Sequence, residues 1–332
     1  MTIYEIAEKA GVSASTVSRV INGKSSVNNK TKEKVQKVLD ENNFQLNEMA
    51  RSLSTKKSNL IGILVADIRN SHYTEIAYET ETNLLEKGYC SLIINAGTTF
   101  SRMESSIEIL SQRQVDGAII IGSIFQNKTV EKSINKYFND RPIVFLNGTL
   151  PNDNVTNLLV AEEQGVKESV TLLKNYGYQN ILFLSWMDTP STKIKLRGYI
   201  EGIKESNFKQ NTLFLKDENN ISQVSKVLTY LEKHTEIDSI ICSDDYLATL
   251  VIKLLNDNNI NIPSEIGIIG INNSSYCNIT SPSLTSLDNK MGELGQLGAQ
   301  TLINIIDKKH VSKKMQLFPE IIIRETIINK GS

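Results

Sequence analysis

Cysteine is scarce in this 332-residue chain. Cys90, Cys242 and Cys277 lie far apart, are odd in number and include no Cys-x-x-Cys pair. That excludes a disulfide framework and points to a reducing, cytoplasmic setting. Histidine is equally rare, and His72, His234 and His310 share no metal-ligand spacing, so neither metal nor cofactor is expected. No apolar run approaches the roughly 20 residues that cross a bilayer, and no apolar signal region opens the chain. Membrane contact and export are therefore not expected. A Gly-x-Ser-x-Gly elbow is missing, as is a glycine-rich phosphate loop with its lysine. Gly292, Gly295 and Gly298 recur inside a helical pattern, where close packing is the expected role. Asp244-Asp245 follows a strand pattern, and capping the next helix accounts for the pair as well as acid–base work does. With no assembled catalytic set, an enzyme is not expected.

A strong overall charge is also lacking, at a net −1, but its distribution is uneven. Residues 1–58 hold eight lysines and two arginines against five glutamates and one aspartate, a net +4 that leaves −5 for the remainder. A basic head on an acidic body is expected when one segment meets phosphate and the other does not. A head of +4 is modest, so tight binding calls for two of them.

Within the head, Thr2 and Glu5 have capping-box spacing, and Ile3, Ile6, Ala7 and Ala10 share one helical face. Gly11 supplies a turn residue that tolerates positive φ. Ser13 can cap a second helix and Asn22-Gly23 can end it. Val17, Val20 and Ile21 then point inward. Ala14, Ser15, Thr16, Ser18, Arg19 and Asn22 face out. Small side chains near the helix start permit close approach to a major groove, hydroxyls and an amide suit phosphate oxygens, and arginine suits a guanine edge. An ordinary two-helix hairpin with a polar solvent face is the alternative. A third helix over 31–41, with Val35, Val38 and Leu39 as its stripe, completes a head over 1–46. Residues 47–54 can form two helical turns, too short to stand alone, and a polar linker follows to residue 58.

Over 59–332, apolar runs alternate with amphipathic stretches. Strands are expected at 60–65, 90–94, 118–121 and 143–146, then at 181–185, 212–215, 237–242 and 266–269, with a late apolar strand over 319–328. Helices are expected over 73–87, 101–114, 127–138, 164–176, 192–206, 221–233, 245–257 and 291–307. Ser101 and Glu104 have capping-box spacing, and Gly88, Gly177 and Pro263 mark helix ends. Alternation repeated twice implies two parallel α/β lobes.

Thr16-Val17-Ser18-Arg19-Val20, followed by Asn22-Gly23, resembles the helix-turn-helix of the lactose repressor (LacI) family. Ala50-Arg51-Ser52-Leu53, Gln114-Val115-Asp116-Gly117 and Ser283-Leu284-Thr285-Ser286-Leu287 extend the resemblance along the whole chain. It implies a small all-α head, a hinge helix and an α/β core resembling periplasmic sugar-binding proteins. The implied lobes cover about 59–158 with 289–319 and about 161–287 with 321–330, joined by three chain crossings near 158–161, 287–290 and 318–322. It further implies a homodimeric repressor of carbohydrate-use genes on a near-palindromic DNA operator, with a small sugar or sugar-phosphate effector in the cleft. Some members respond instead to a phosphorylated carrier protein of the sugar phosphotransferase system.

Carried to this chain, the resemblance sets Ala14, Ser15 and Arg19 against base edges and Tyr4, Ser13, Thr16, Ser18 and Asn22 against phosphates. Leu53, with Ala50 beside it, becomes a wedge entering from the minor groove; simple packing against its own head is the alternative. Leu46 stands where the family often has proline, leaving the start of the hinge helix less fixed. His72, Tyr73, Asn147, Lys195, Asp244 and Asn272 match ligand-contacting positions. Tyr73 could instead be core, Asp244 a cap and Lys195 solvated. Trp186, the single tryptophan, follows a strand and either stacks on a sugar ring or shields the cleft rim. Members often carry arginine at position 195 and aspartate at 272. Lysine loses the planar fork and asparagine a charge, which draws the expectation toward phosphorylated or acidic sugars.

Overall fold

A computed structural model describes residues 2–21, 27–42, 57–186, 189–216 and 221–331, and the chain divides into two compact units, Met1–Ser58 and Asn59–Ser332. In the first, α1 (Ile3–Ala10) begins at Thr2, where both halves of the capping box form. The Glu5 N–H donates to Thr2 Oγ1 (3.3 Å) and the Thr2 N–H to Glu5 Oε2 (2.8 Å). Gly11 ends the helix at φ 61°, a left-handed geometry that suits glycine. Ser13 Oγ accepts from the Thr16 N–H (3.2 Å) at the start of α2 (Ala14–Ile21), and Asn28 caps α3 (Asn29–Glu41). Ile6, Ala10, Val17 and Val35 are fully enclosed where the three helices meet. Ile21 and Val38, expected inside, are half-buried at its margin. The Asn22-Gly23 helix end, Leu46 and the hinge segment 47–54 lie outside the described residues.

The second unit opens with β1 (Leu60–Val65), α4 (Ser71–Glu86), β2 (Cys90–Asn95), α5 (Phe100–Gln112), β3 (Gly117–Ile121), α6 (Lys128–Tyr137), β4 (Ile143–Leu146) and β5 (Val155–Val160). It continues through α7 (Glu162–Asn175), β6 (Ile181–Ser185), α8 (Pro190–Ser206), β7 (Asn211–Phe214), α9 (Lys226–Lys233), β8 (Ser239–Cys242), α10 (Asp245–Asp257), β9 (Gly267–Ile271), α11 (Tyr276–Ile279) and β10 (Thr285–Asp288). It closes with α12 (Met291–Ile306), β11 (Lys314–Leu317) and β12 (Glu320–Ile322). Two six-stranded sheets result, ordered β11-β5-β4-β3-β1-β2 and β12-β10-β9-β8-β6-β7. Every pairing among the described residues is parallel except β10 with β12, because helices return the chain to the same end of the sheet before most strands, while between β4 and β5 the loop over 147–154 does so. The chain passes between the lobes at 160–162, 288–291 and 317–320.

Several local expectations change. β5, β10 and β11 were not anticipated as strands, since polar residues interrupt their apolar runs. The late strand contracts to Glu320–Ile322, after which Arg324 and Thr326 turn back to bond the Ser283–Thr285 backbone and hydroxyl. Helix 221–233 opens as a 3-10 turn over Ile221–Ser225. The capping box at Ser101 and Glu104 does not form: α5 begins one residue earlier, after Thr99, without a side-chain cap. Close packing explains two of the three α12 glycines: a Cβ at Gly295 would lie 2.7 Å from the Ile76 carbonyl oxygen of α4 and one at Gly298 3.0 Å from the Leu146 side chain, whereas at Gly292 the nearest atom is 3.8 Å away. Among the described residues, no helix is long and apolar enough to cross a membrane.

Gly198 of α8 is the tightest such contact, because a Cβ there would overlap the Glu163 carbonyl oxygen of α7. Backbone cannot rotate away as a side chain does. Gly198→Ala is therefore expected to push the helices apart and lower the unfolding midpoint by roughly 5 °C, measured by calorimetry.

Candidate functional site

On the head, Tyr4 is 79% exposed, and Ser13, Ser15 and Arg19 are exposed along α2. Thr16 and Ser18 are half-buried. Ala14 is also half-buried and packs on the core, so it presents only part of its methyl group. Ser13 Oγ lies 2.9 Å from both Ser15 Oγ and Thr16 Oγ1. Three hydroxyls thus gather at a helix N-terminus, where the dipole favours an anion such as phosphate. Asn22, Ala50 and Leu53 lie outside the described residues.

In the second unit, all seven cleft candidates line one chamber of about 120 Å³ between the lobes. It adjoins a second of about 260 Å³, with which it shares Asn70, Trp186, Asp244 and Asn272, together a small-molecule scale. Strand ends and the helix starts after them supply the lining, as open parallel sheets do. His72 and Tyr73 sit in the first turn of α4, which Asn70 caps. The Tyr73 ring lies where a Cβ at Gly122 (φ 107°) would be, so glycine is required at the end of β3. Asn147 and Asn272 directly follow β4 and β9 at positive φ (59° and 115°), each donating its N–H to a neighbouring strand. Trp186 follows β6 and is buried, and Lys195 projects from α8. Asp244 both caps α10, accepting from the Leu247 N–H (2.8 Å), and lines the chamber. Tyr73 likewise packs on the first lobe's core while facing the chamber.

Lys195 is buried rather than solvated. Its Nζ lies 3.4 Å from Glu162 Oε1 and donates to the Ser243 carbonyl oxygen (3.0 Å). Glu162, at the first chain crossing, also accepts from Ser191 Oγ (2.6 Å) and from Asn289 Nδ2 (3.0 Å). Asn289, at the second crossing, donates to Asn272 Oδ1 as well (3.1 Å). Across the lobes, the Ser191 N–H donates to Ser123 Oγ (3.1 Å). None of Glu162, Ser191, Asn289 and Ser123 was legible in sequence, since each matters only through partners from other elements.

Burial, then the Lys195 ammonium, lowers the His72 imidazole to about 4; Glu162 and a hydrogen bond to Asn272 oppose the shift. The ring is therefore neutral, and among the described residues its enclosed Nδ1 has no hydrogen-bond partner, nor has Trp186 Nε1 or Ser185 Oγ. Burial raises Asp244, and it pushes Asp245 up to about 6 against hydrogen bonds from Ser286 and Ser274. Among the described residues, no group of three His, Cys, Asp or Glu side chains is placed to hold a metal.

Residues 58–324 match the family of periplasmic binding proteins and sugar-binding domains of the LacI family, and residues 2–47 match the bacterial regulatory proteins of the lacI family. An HTH-type transcriptional regulator of Lachnoclostridium phytofermentans is 31% identical over 330 residues, 98% of this chain and 99% of its own. A ribose operon repressor of Halalkalibacterium halodurans is 29% identical, covering 98% of this chain and 96% of that one. The crystal structure of the lac repressor dimer bound to operator and the anti-inducer ONPF superposes with a TM-score of 0.88 at 21% identity, over 99% of both chains, and shows the shared fold. These relatives are regulators rather than enzymes. The chain belongs to the LacI family of bacterial regulatory proteins and is a DNA-binding transcriptional regulator.

Proposed function

We propose that this regulator is a homodimeric repressor of carbohydrate-use genes, released from or tightened on its operator by a small sugar-like effector in the cleft. The single observation carrying the effector reading is the convergence of His72, Tyr73, Asn147, Trp186, Lys195, Asp244 and Asn272, drawn from both lobes, on one chamber. Aromatic faces, amides, a carboxylate and an ammonium are the groups that hold a polyol. The name of the ribose operon repressor relative supports the carbohydrate side. In this reading Ala14, Ser15 and Arg19 meet base edges, and Tyr4, Ser13, Thr16, Ser18 and Asn22 meet phosphates. Ala50 and Leu53 enter the minor groove. Residues 1–46 act as the head, 47–58 as hinge and linker, and 59–332 as core.

A second copy of the chain has a surface to meet. Tyr78 and Leu85, seven residues apart on α4, are 63% and 61% exposed, and Ile93 on edge strand β2 is 40% exposed. An apolar strip beside an unpaired strand edge is the kind of surface dimers cover.

Control requires that the ligand bind one lobe arrangement better than the other. A thermal-shift screen against mono- and disaccharides, sugar phosphates and sugar acids tests this. A ligand at a hundred times its Kd should add about 2.7 kcal/mol of stability. Operator titration with that ligand then gives the sign of regulation. If no compound shifts the midpoint or changes operator binding, the small-effector reading falls, and control by a phosphorylated carrier protein, read by pull-down, takes its place.

A further inference from the structure

Each cation lining the cleft among the described residues already has a carboxylate. Lys195 is held by Glu162 at 3.4 Å, with side-chain exposures of 10% and 3%, and Arg69 by Asp67 at 2.6 Å. Asp244 is a further carboxylate of the lining: no described cation lies within ion-pair distance of it, and the Lys195 ammonium, already held by Glu162, acts on it only at longer range. Three helix N-termini that would otherwise attract an anion are capped, α4 by Asn70, α8 by Thr189 and α10 by Asp244. The groups without protein partners are neutral: the ring nitrogen Nδ1 of His72, the indole N–H of Trp186 and the hydroxyl of Ser185. An incoming phosphate or carboxylate would meet surplus negative charge and would have to break a buried ion pair to reach an ammonium. A hydroxyl, by contrast, can donate to Glu162, Asp244 or His72 and accept from Trp186 or Ser185.

We propose that Glu162, by occupying Lys195, makes this cleft select an uncharged polyhydroxyl effector and reject sugar phosphates and sugar acids. This rests on the sugar-effector reading above and runs against the expectation drawn from Lys195 and Asn272 in the sequence. Glu162 is thereby a specificity-determining residue of the cleft. Its carboxylate also ties two of the chain crossings together through Asn289, so it sits where ligand chemistry and lobe arrangement meet.

The test uses the full-length protein and matched trios: ribose, ribose 5-phosphate and ribonate; glucose, glucose 6-phosphate and gluconate; and equivalent sets for any neutral sugar that binds. Titration calorimetry is expected to show the neutral member binding at least about tenfold more tightly than its anions. Glu162→Gln keeps groups that can meet Ser191 and Asn289 while freeing the ammonium. It should improve the anion's relative affinity by about tenfold or more. Asp244→Asn, which keeps a good helix cap, should move the ratio the same way and provides a second reading should Glu162→Gln fold poorly. A merely structural role would weaken all three ligands together. Tightest binding of a phosphate or acid by the wild type, or a ratio unchanged in both variants, overturns the proposal while leaving a sugar effector standing. Binding of no sugar of any class overturns both.

Discussion

Arg19→Ala is expected to lower affinity for the specific operator by about 30-fold or more, while affinity for unrelated DNA falls far less. Arg19 is exposed on α2, beyond the Ser13, Ser15 and Thr16 hydroxyls at the start of that helix. A two-pronged arginine contact to guanine is worth about 1–3 kcal/mol of discrimination, and the proposed dimer would make it twice, roughly 2–6 kcal/mol in all. Non-specific binding loses only one charge per head, a term set by counterion release. Arg19→Lys separates the two roles, because it keeps the charge and loses the planar fork. Fluorescence anisotropy at fixed salt on operator and scrambled duplexes reads both affinities. Equal losses on the two duplexes would make Arg19 a phosphate contact and return base reading to other side chains.

The second large effect lies in the pH dependence of the core's stability. His72, lowered to about 4, is neutral when folded at a pH where the unfolded chain's histidine, near 6.5, takes up a proton. Its contribution is complete above pH 6.5 and is lost as pH falls toward 4, at up to about 1.4 kcal/mol per unit and about 2–3 kcal/mol in all. Asp245, raised to about 6 from 3.8, has the opposite sign. Its folded carboxyl holds a proton that the unfolded chain has released, so its burial cost is full above pH 6 and fades as pH falls toward 3.8. Asp244, also raised by burial, acts in the same direction as Asp245. The two signs oppose each other over one window. Asp245→Asn should therefore tilt the profile, relative to wild type, toward loss of stability on acidification. His72→Gln should tilt it toward gain. Urea unfolding between pH 4.5 and 6.5 supplies the profiles. Both variants running parallel to wild type would mean that neither group's proton affinity differs between the folded and unfolded chain.

The head was legible in detail because its information is local. Thr2, Glu5, Gly11 and Ser13 act on groups within four residues, and Ile6, Ala10, Val17 and Val35 close a core through helical periodicity alone. The lobes were legible as a pattern wherever strands are continuous apolar runs, as in β1, β3, β4 and β6, all buried along most of their length. β10 escaped because Thr285 and Ser286 interrupt its apolar run. They enter the core only because Thr326 Oγ1 accepts from the Thr285 N–H and Asp245 accepts from Ser286 Oγ, partners about 41 residues away in sequence. A buried polar strand is affordable only where tertiary hydrogen bonds satisfy it, and no local pattern encodes them.

The same division runs through the cleft. Sequence alone determined which side chains stand at strand ends and helix starts: His72 and Tyr73 after β1, Asn147 after β4, Asp244 after β8 and Asn272 after β9. Alternation of strand and helix sets their places in the chain, and the family resemblance marked them as ligand-contacting positions. Tertiary structure decided their electrical character. Lys195 looked like a cation open to an anionic ligand until folding set Glu162 beside it, 33 residues away in sequence, and linked Glu162 to Asn289 across 127 residues. Charge in a buried site is a property of the assembled pair, because Coulomb interactions depend on distance and dielectric, and both exist only once the lobes have closed around them.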